Sequence, residues 1–324
     1  MRILSGIQPS GALHIGNYFG MMRPAIALQE KGEALYFIAD YHALTSLQDP
    51  RALRENCRGV AIDLLACGFD PEKSALFLQS DVPQVTELAW ILSTVTPMGL
   101  LERAHSYKDK IARGLQASAG LFTYPVLMAA DILIYDSDLV PVGKDQKQHI
   151  EVTRDLAIKM NETFGSEADR QIFKLPEPHI QTATETIPGL DGQKMSKSYG
   201  NTLDIFGDEK ETRKRVMSIV TDSTPVEAPK DPAASSIFQL YSLFATETEI
   251  AAMRDQFQRG GTGYGDFKKQ LFAKMWQFFE PMRTRRAEIL AQPDYIDEVL
   301  ARGAERANQI ADNVMCRVRG AVGL

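Results

Sequence analysis

The 324-residue sequence predicts an α/β protein, with a parallel sheet in its first part and a second, all-helical part after it. Three observations carry that expectation. Short, continuous apolar runs alternate with stretches of helical spacing up to about residue 180, the signature of strand–helix–strand units. Beyond that point the periodicity is almost wholly helical. Two turns suited to phosphate mark the ends of the alternating part, one after the first apolar run and one after the last.

In order, residues 1–4 form an apolar run ending at Ser5-Gly6, a first strand. Pro9-Ser10-Gly11 turns the chain, and residues 13–30 have helical spacing. Residues 34–39 are continuously apolar and close on Asp40, as a strand buried on both faces would. Helix is expected over 50–66, strand over 74–78, helix over 85–95 and 124–135, strand over 139–142, and helix over 146–161. The later helices are expected at 209–220, 237–244, 247–257, 267–279 and 296–319, with a proline-bearing linker at 225–232. The boundaries that follow are 1–185 for the first domain and 186–289 for the second, with a helix of about 290–324 packing back near the first.

Hydrophobic residues make up 44% and charged residues 24%, enough apolar surface for a globular core. The formal net charge of −6 argues against indiscriminate nucleic-acid binding and leaves room for a local basic patch. Cys57, Cys67 and Cys316 are odd in number and widely spaced, which points to reduced, buried thiols in a cytoplasmic protein. No signal peptide opens the chain. The most apolar run, 126–142, is broken by Asp131, Asp136 and Asp138, so no membrane span is expected.

Chemistry concentrates in two motifs. Lys194-Met195-Ser196-Lys197-Ser198 follows Pro188-Gly189-Leu190-Asp191-Gly192. Its lysines supply point charges for phosphate, its hydroxyls supply donors, and the glycines permit a mobile turn. Such a loop can close on a triphosphate and stabilise a departing pyrophosphate; a solvated basic turn is the plainer alternative. Upstream, residues 5–17 run from strand through a glycine-rich turn into a helix start, with His14, Gly16 and Asn17 at its head. Free N–H groups and the dipole of that helix would favour an anion, and His14 and Asn17 add donors on one face. A tight turn around a satisfied core histidine would look similar. Neither motif is a Walker loop or GxGxxG.

Together, His14-Ile15-Gly16-Asn17 and Lys194-Met195-Ser196-Lys197-Ser198 resemble the paired signatures of class I aminoacyl-tRNA synthetases. Residues 6–11, 127–133, 140–149 and Val220-Thr221-Asp222-Ser223 are similar to the tryptophanyl-tRNA synthetase family, and the resemblance covers nearly the whole chain. It implies a Rossmann-like catalytic domain, a helical anticodon-binding domain, and activation of tryptophan by ATP before transfer to tRNA. The tyrosyl relatives are the nearest alternative, so specificity must rest on the pocket. Tyr124, Met128 and Asp131 stand at i, i+4 and i+7 on one helical face. Met128 replaces the polar partner a phenol would need and can pack on a large ring, while Asp131 can accept the indole N–H. An ordinary core helix is the competing explanation, but it would leave Asp131 in need of another partner.

The resemblance implies further roles. Tyr124 and Gln146 would hold the substrate's α-amino group, Val140 and Val142 would line the ring pocket, and His42 would lie near it. Gln8, Pro9, Ser10, His14, Gly16 and Asn17 would cradle ATP, Gly143, Lys144 and Asp145 would meet the ribose, and Ile187 the adenine. Lys194, Met195, Ser196, Lys197 and Ser198 would serve the phosphates, with Lys110 a third cation. Mg²⁺ would arrive with ATP, and no protein-built metal site is implied. A homodimer is implied too, with residues 85–101 as its apolar contact. This chain departs from the family pattern at Leu4, where an aromatic wall residue is usual, at His14, at Lys144, and in a shorter segment before the lysine-serine loop.

Residues 254–286 hold eight basic and three acidic residues, with Phe257, Tyr264, Phe267, Phe272 and Trp276 between them. Cations interleaved with rings suit single-stranded RNA such as an anticodon loop; an amphipathic helix pair would look much the same. Two other functions stay open from residues alone: a small-molecule nucleotidyltransferase sharing the first turn, and a paralogue that binds RNA without aminoacylation.

Overall fold

A computed structural model describes residues 1–9, 11–112, 114, 116–142, 147–165, 171–180 and 187–324, except the side chains of 105, 106, 109, 110, 147, 179 and 180. The chain divides into two compact units. Met1–Gly11, Ala25–Thr182 and Ile289–Leu324 form the first, and Ala12–Pro24 with Ala183–Glu288 the second.

The first unit is built on five parallel strands: β1 (Arg2–Ile7), β2 (Glu33–Ile38), β3 (Ala75–Leu78), β4 (Leu139–Val142) and β5 (Glu177–Ile180). Their order is β3-β2-β1-β4-β5. The order reverses between β1 and β4, and the crevice beyond the carboxyl ends of such a pair is where open parallel sheets take ligands. β2 is buried along all but its first residue, as its unbroken apolar run requires. Gly6 lets β1 approach it closely: a Cβ there would sit 2.5 Å from the Phe37 ring.

Helices cover the sheet. They are α3 (Asp40–Ala43), α4 (Pro50–Ala66), α5 (Gln84–Ser93), α6 (Met98–Leu101), α7 (His105–Ala112), α8 (Ala119–Leu133) and α9 (Lys147–Phe164), joined by the last helix, α15 (Pro293–Val322). α4 starts where Asp49 accepts from the N–H groups of Arg51 and Ala52, with Pro50 at the first helical position. α15 returns to lie on the edge strand β3. At Gly303 a Cβ would meet the Leu76 carbonyl oxygen at 2.0 Å, so only glycine permits that approach. Arg306 pairs with Glu33, Arg317 with Asp136, and Arg319 with Glu87 along the same helix.

The stretch expected as one helix over 13–30 is irregular. It comprises α1 (Ile15–Asn17), a π-helical turn over Tyr18–Met22, α2 (Arg23–Ala27) and a 3₁₀ turn over Leu28–Glu30. The π turn fits its packing, because Tyr18 and Phe19 turn into a cluster with Phe244, Phe278 and Phe279 inside the second unit. The remaining helices of that unit are α10 (Glu209–Met217), α11 (Ser236–Ser242), α12 (Glu247–Arg259), α13 (Tyr264–Phe278) and α14 (Glu280–Leu290). Lys230 is buried and gives its ammonium protons to the carbonyls of Pro225, Val226 and Ala228, closing the proline-bearing linker on itself.

Cys57 and Cys67 are buried, as expected, but Cys316 is exposed on the outer face of α15; all three are free. Among the described residues no helix is long and apolar enough to cross a membrane.

Candidate active site

In the first unit the expected pocket residues gather around α8. Leu4 of β1, Val140 and Val142 of β4 and Met128 of α8 share one apolar cluster with Phe37 and Phe77. Val140 and Val142 are two apart on β4, so both face the same side. Tyr124 is half-buried, and its hydroxyl lies 3.1 Å from His149 Nε2. His42 stands edge-on to the Tyr124 ring with centroids 6.3 Å apart.

Asp131 is the polar centre of this cluster and is only 1% exposed. His42 Nε2 donates to its Oδ2 at 2.8 Å, and the Gln79 side-chain amide donates to Oδ1 at 2.7 Å and Oδ2 at 3.0 Å. Burial pushes the Asp131 carboxyl above the usual carboxylate range, while the bonds from His42 and Gln79 pull the other way. Gln79, on the 3₁₀ turn Gln79–Asp81 directly after β3, was missed by sequence reasoning. Beside it Asp40 accepts from the N–H groups of Ser80 and Tyr41, tying the end of β2 to that of β3.

The second unit brings the two signature motifs together. His14 caps α1 by accepting at Nδ1 from the Asn17 N–H, and Asn17 Oδ1 accepts from the His14 N–H in return. Ile15 N–H donates to the Leu203 carbonyl, and the Asn17 and Tyr18 N–H groups to that of His14. The free N–H groups expected at this helix start are therefore mostly occupied, because so short a helix bonds back onto its cap. A Cβ at Gly16 would lie 2.9 Å from His14 Nδ1 and 3.4 Å from the Met195 Cβ. Burial first, and then the charge of Lys197, lowers the His14 pKa to about 4, with Asp204 opposing.

Residues 187–195 form a tight hairpin. Met195 N–H donates to the Ile187 carbonyl at 2.9 Å, and Pro188 pairs with Lys194 across it. Ile187 and Met195 are buried and anchor the hairpin, so their side chains serve the core, whereas Lys194, Lys197 and Ser198 are exposed. Ser196 accepts from the Ser198 N–H and donates its own N–H to Asn201. Asn201, only 3% exposed, also donates to Asp191 at 2.7 Å and to the Lys194 carbonyl at 3.2 Å. Arg215 of α10 holds the carbonyls of Gly200 and Thr202 on either side. Neither Asn201 nor Arg215 was expected, though Asn201 stands just beyond the motif. Gly189 makes room for it, since a Cβ there would meet the Asn201 amide at 2.3 Å.

Other expected residues are less informative. Gln8 is exposed and Pro9 buried after β1. Ser10, Gly143, Lys144, Asp145 and Gln146 lie outside the described residues, as does the side chain of Lys110 on α7. The interleaved rings of 254–286 are mostly structural. Phe257, Phe267 and Phe272 are buried, and Phe257 stacks on Phe267 with centroids 3.9 Å apart. Tyr264, Trp276 and Phe278 are partly open, with the Arg283 guanidinium 3.7 Å from the Trp276 ring centroid.

In the first unit the strand order reverses at β1/β4 and a buried carboxylate stands in an otherwise apolar cluster, and in the second a lysine-bearing hairpin lies beside a histidine-capped turn. Residues 1–280 match the family "tRNA synthetases class I (W and Y)", and the chain belongs to it. Relatives that share about half of its residues carry the name tryptophan–tRNA ligase. The tryptophan–tRNA ligase of Rhodopirellula baltica is 54% identical over 324 residues, all of both chains. That of Fusobacterium nucleatum is 53% identical over 323 residues, 100% of this chain and 98% of the other. The crystal structure of tryptophanyl-tRNA synthetase from Campylobacter jejuni complexed with ADP and tryptophan has a TM-score of 0.94 at 50% identity across all of both chains.

Proposed function

We infer that this chain is a tryptophan–tRNA ligase. It activates L-tryptophan with ATP and transfers it to the 3′ end of tRNA. The observation that carries the choice of amino acid is Asp131, a buried acceptor on the same helical face as the apolar Met128. A phenol would find no polar partner at Met128, and a phenyl ring would leave unused the acceptor site that Asp131 keeps beyond its bonds from His42 and Gln79. The discrimination against phenylalanine is then the one further hydrogen bond that the indole N–H adds, about 1.5–3 kcal/mol for a bond to a charged group.

In the first step the tryptophan carboxylate oxygen bonds to the α-phosphorus of ATP in line, and the bond from that phosphorus to the bridging oxygen of pyrophosphate breaks. No side-chain nucleophile takes part, so catalysis rests on positioning and charge stabilisation. Lys194, exposed on a hairpin held by Asn201, and Lys197, exposed on the 3₁₀ turn that follows it, are suited to the β- and γ-phosphates, with Lys110 as a third cation. Gln8, Pro9, Ser10, His14, Gly16, Asn17, Gly143, Lys144, Asp145 and Ile187 are the proposed remainder of the nucleotide site. Tyr124 and Gln146 would hold the α-amino group. In the second step a ribose hydroxyl of tRNA attacks the aminoacyl carbonyl and releases AMP.

Mg²⁺ is proposed to enter with ATP, held by phosphate oxygens; among the described residues no cluster of three acidic, histidine or cysteine ligands is built for it. Residues 1–185 with the helix of about 290–324 would be the catalytic domain, and 186–289 the loop and anticodon-binding domain. Trp276 and the exposed cations of 254–286 support the RNA role. Trp90 and Met98, 73% and 63% exposed above a buried row on α5 and α6, support a homodimer contact. A cytoplasmic location fits the free cysteines. ATP–pyrophosphate exchange with each of the twenty amino acids tests the activity: tryptophan alone should drive it, and exchange driven by tyrosine would overturn the specificity.

A further inference from the structure

We propose that Gln79 is a positioning residue for tryptophan recognition, aiming one free lone pair of Asp131 at the indole nitrogen. This rests on Asp131 being the indole acceptor. A carboxylate offers about four lone-pair sites. Among the described residues, Oδ2 meets both His42 at 2.8 Å and Gln79 at 3.0 Å, whereas Oδ1 meets Gln79 alone at 2.7 Å. The unused acceptor site is therefore on Oδ1, and its direction is set by the donor already bound there.

Gln79 can hold that direction because its own amide is fixed at the other end. Its Oε1 accepts from the Tyr41 N–H at 3.1 Å while its Nε2 faces Asp131. Turning the amide over would set oxygen against carboxylate and NH₂ against N–H, two repulsions in place of two bonds. The side chain is 1% exposed, so water cannot take over either bond. Asp40, through Ser80 and Tyr41, fixes the backbone from which Gln79 projects. One amide thus links α3, the turn after β3 and α8, and its position helps to orient the carboxylate.

The test compares tryptophan with 3-benzothienylalanine, its isostere in which sulfur replaces the N–H, in ATP–pyrophosphate exchange. Wild type should prefer tryptophan in KM by about tenfold or more, as one buried hydrogen bond warrants. Gln79→Met keeps the shape and removes both bonds. Gln79→Leu removes both bonds with a second apolar shape. In both variants the tryptophan KM should rise about tenfold, the isostere KM less than threefold, and kcat less than KM, so that the preference collapses. Retained preference in both variants would overturn the positioning role, and so would an equal loss for both substrates, which marks general damage. A wild type that does not distinguish the two ligands would refute Asp131 as the acceptor, and the role of Gln79 with it.

Discussion

His14 is neutral at pH 7 because its ring is buried beside Lys197, which holds its pKa at about 4 against an ordinary 6.5. Its Nδ1 accepts from Asn17, so the single ring proton sits on Nε2. Between pH 6.5 and pH 4 the unfolded chain binds a proton at this position that the folded chain refuses. Stability is therefore full above the unfolded pKa and is lost as pH falls through that window, by on the order of 3 kcal/mol. His14→Asn keeps a capping side chain without a titrating ring and should flatten this dependence in urea denaturation; an unchanged slope would show that other groups carry it. That Asp131 would be buried and need a partner was legible in sequence at this scale, because a carboxylate inside an apolar run demands one. Gln79 and Asn201 were not. Gln79 reads locally as an ordinary polar residue after a strand, and its partner is 52 residues away. No periodic pattern carries information over that distance.

At the scale of elements, most strands and helices were visible because their apolar periodicity is strong: 50–66 and 139–142 agree with α4 and β4 residue for residue. β5, with Pro178 and the polar Glu177 and His179, has too little apolar pattern to be read as a strand. α14 escaped notice because of its 11 residues only Ile289 is buried, leaving it almost no apolar stripe. The π turn at Tyr18–Met22 was illegible for the opposite reason: its apolar residues fit helical spacing, and only packing against Phe244, Phe278 and Phe279 decides the winding. α15 offers a test of element packing from two glycines on one helix. Gly303→Ala drives a methyl into the Leu76 carbonyl and should destabilise by about 2 kcal/mol or more. Gly320→Ala, where nothing lies within 4 Å, should stabilise by up to about 1 kcal/mol through helix propensity. Shifts of opposite sign in denaturation midpoint, the larger at Gly303, are expected if the β3 contact is as close as described; stabilisation by both would contradict it.

Over the whole molecule, division into a parallel-sheet part and a helical part was legible from the change of periodicity near residue 180. The grouping of Ala12–Pro24 with the helical unit was not, since a segment between two strands reads as an ordinary crossover. That grouping sets His14 and Gly16 beside Met195, joining two motifs that stand far apart in sequence. In the proposed function, the unit built around α8 would distinguish an indole from other rings by one hydrogen bond to Asp131. NMR of tryptophan labelled with ¹⁵N in the indole, bound to the wild-type protein, observes that bond directly. The expected result is an indole N–H proton shifted downfield and protected from exchange with water, with both effects lost in Asp131→Ala, which has no side-chain acceptor. An indole N–H that exchanges as fast bound as free, at its free-ligand shift, would contradict it.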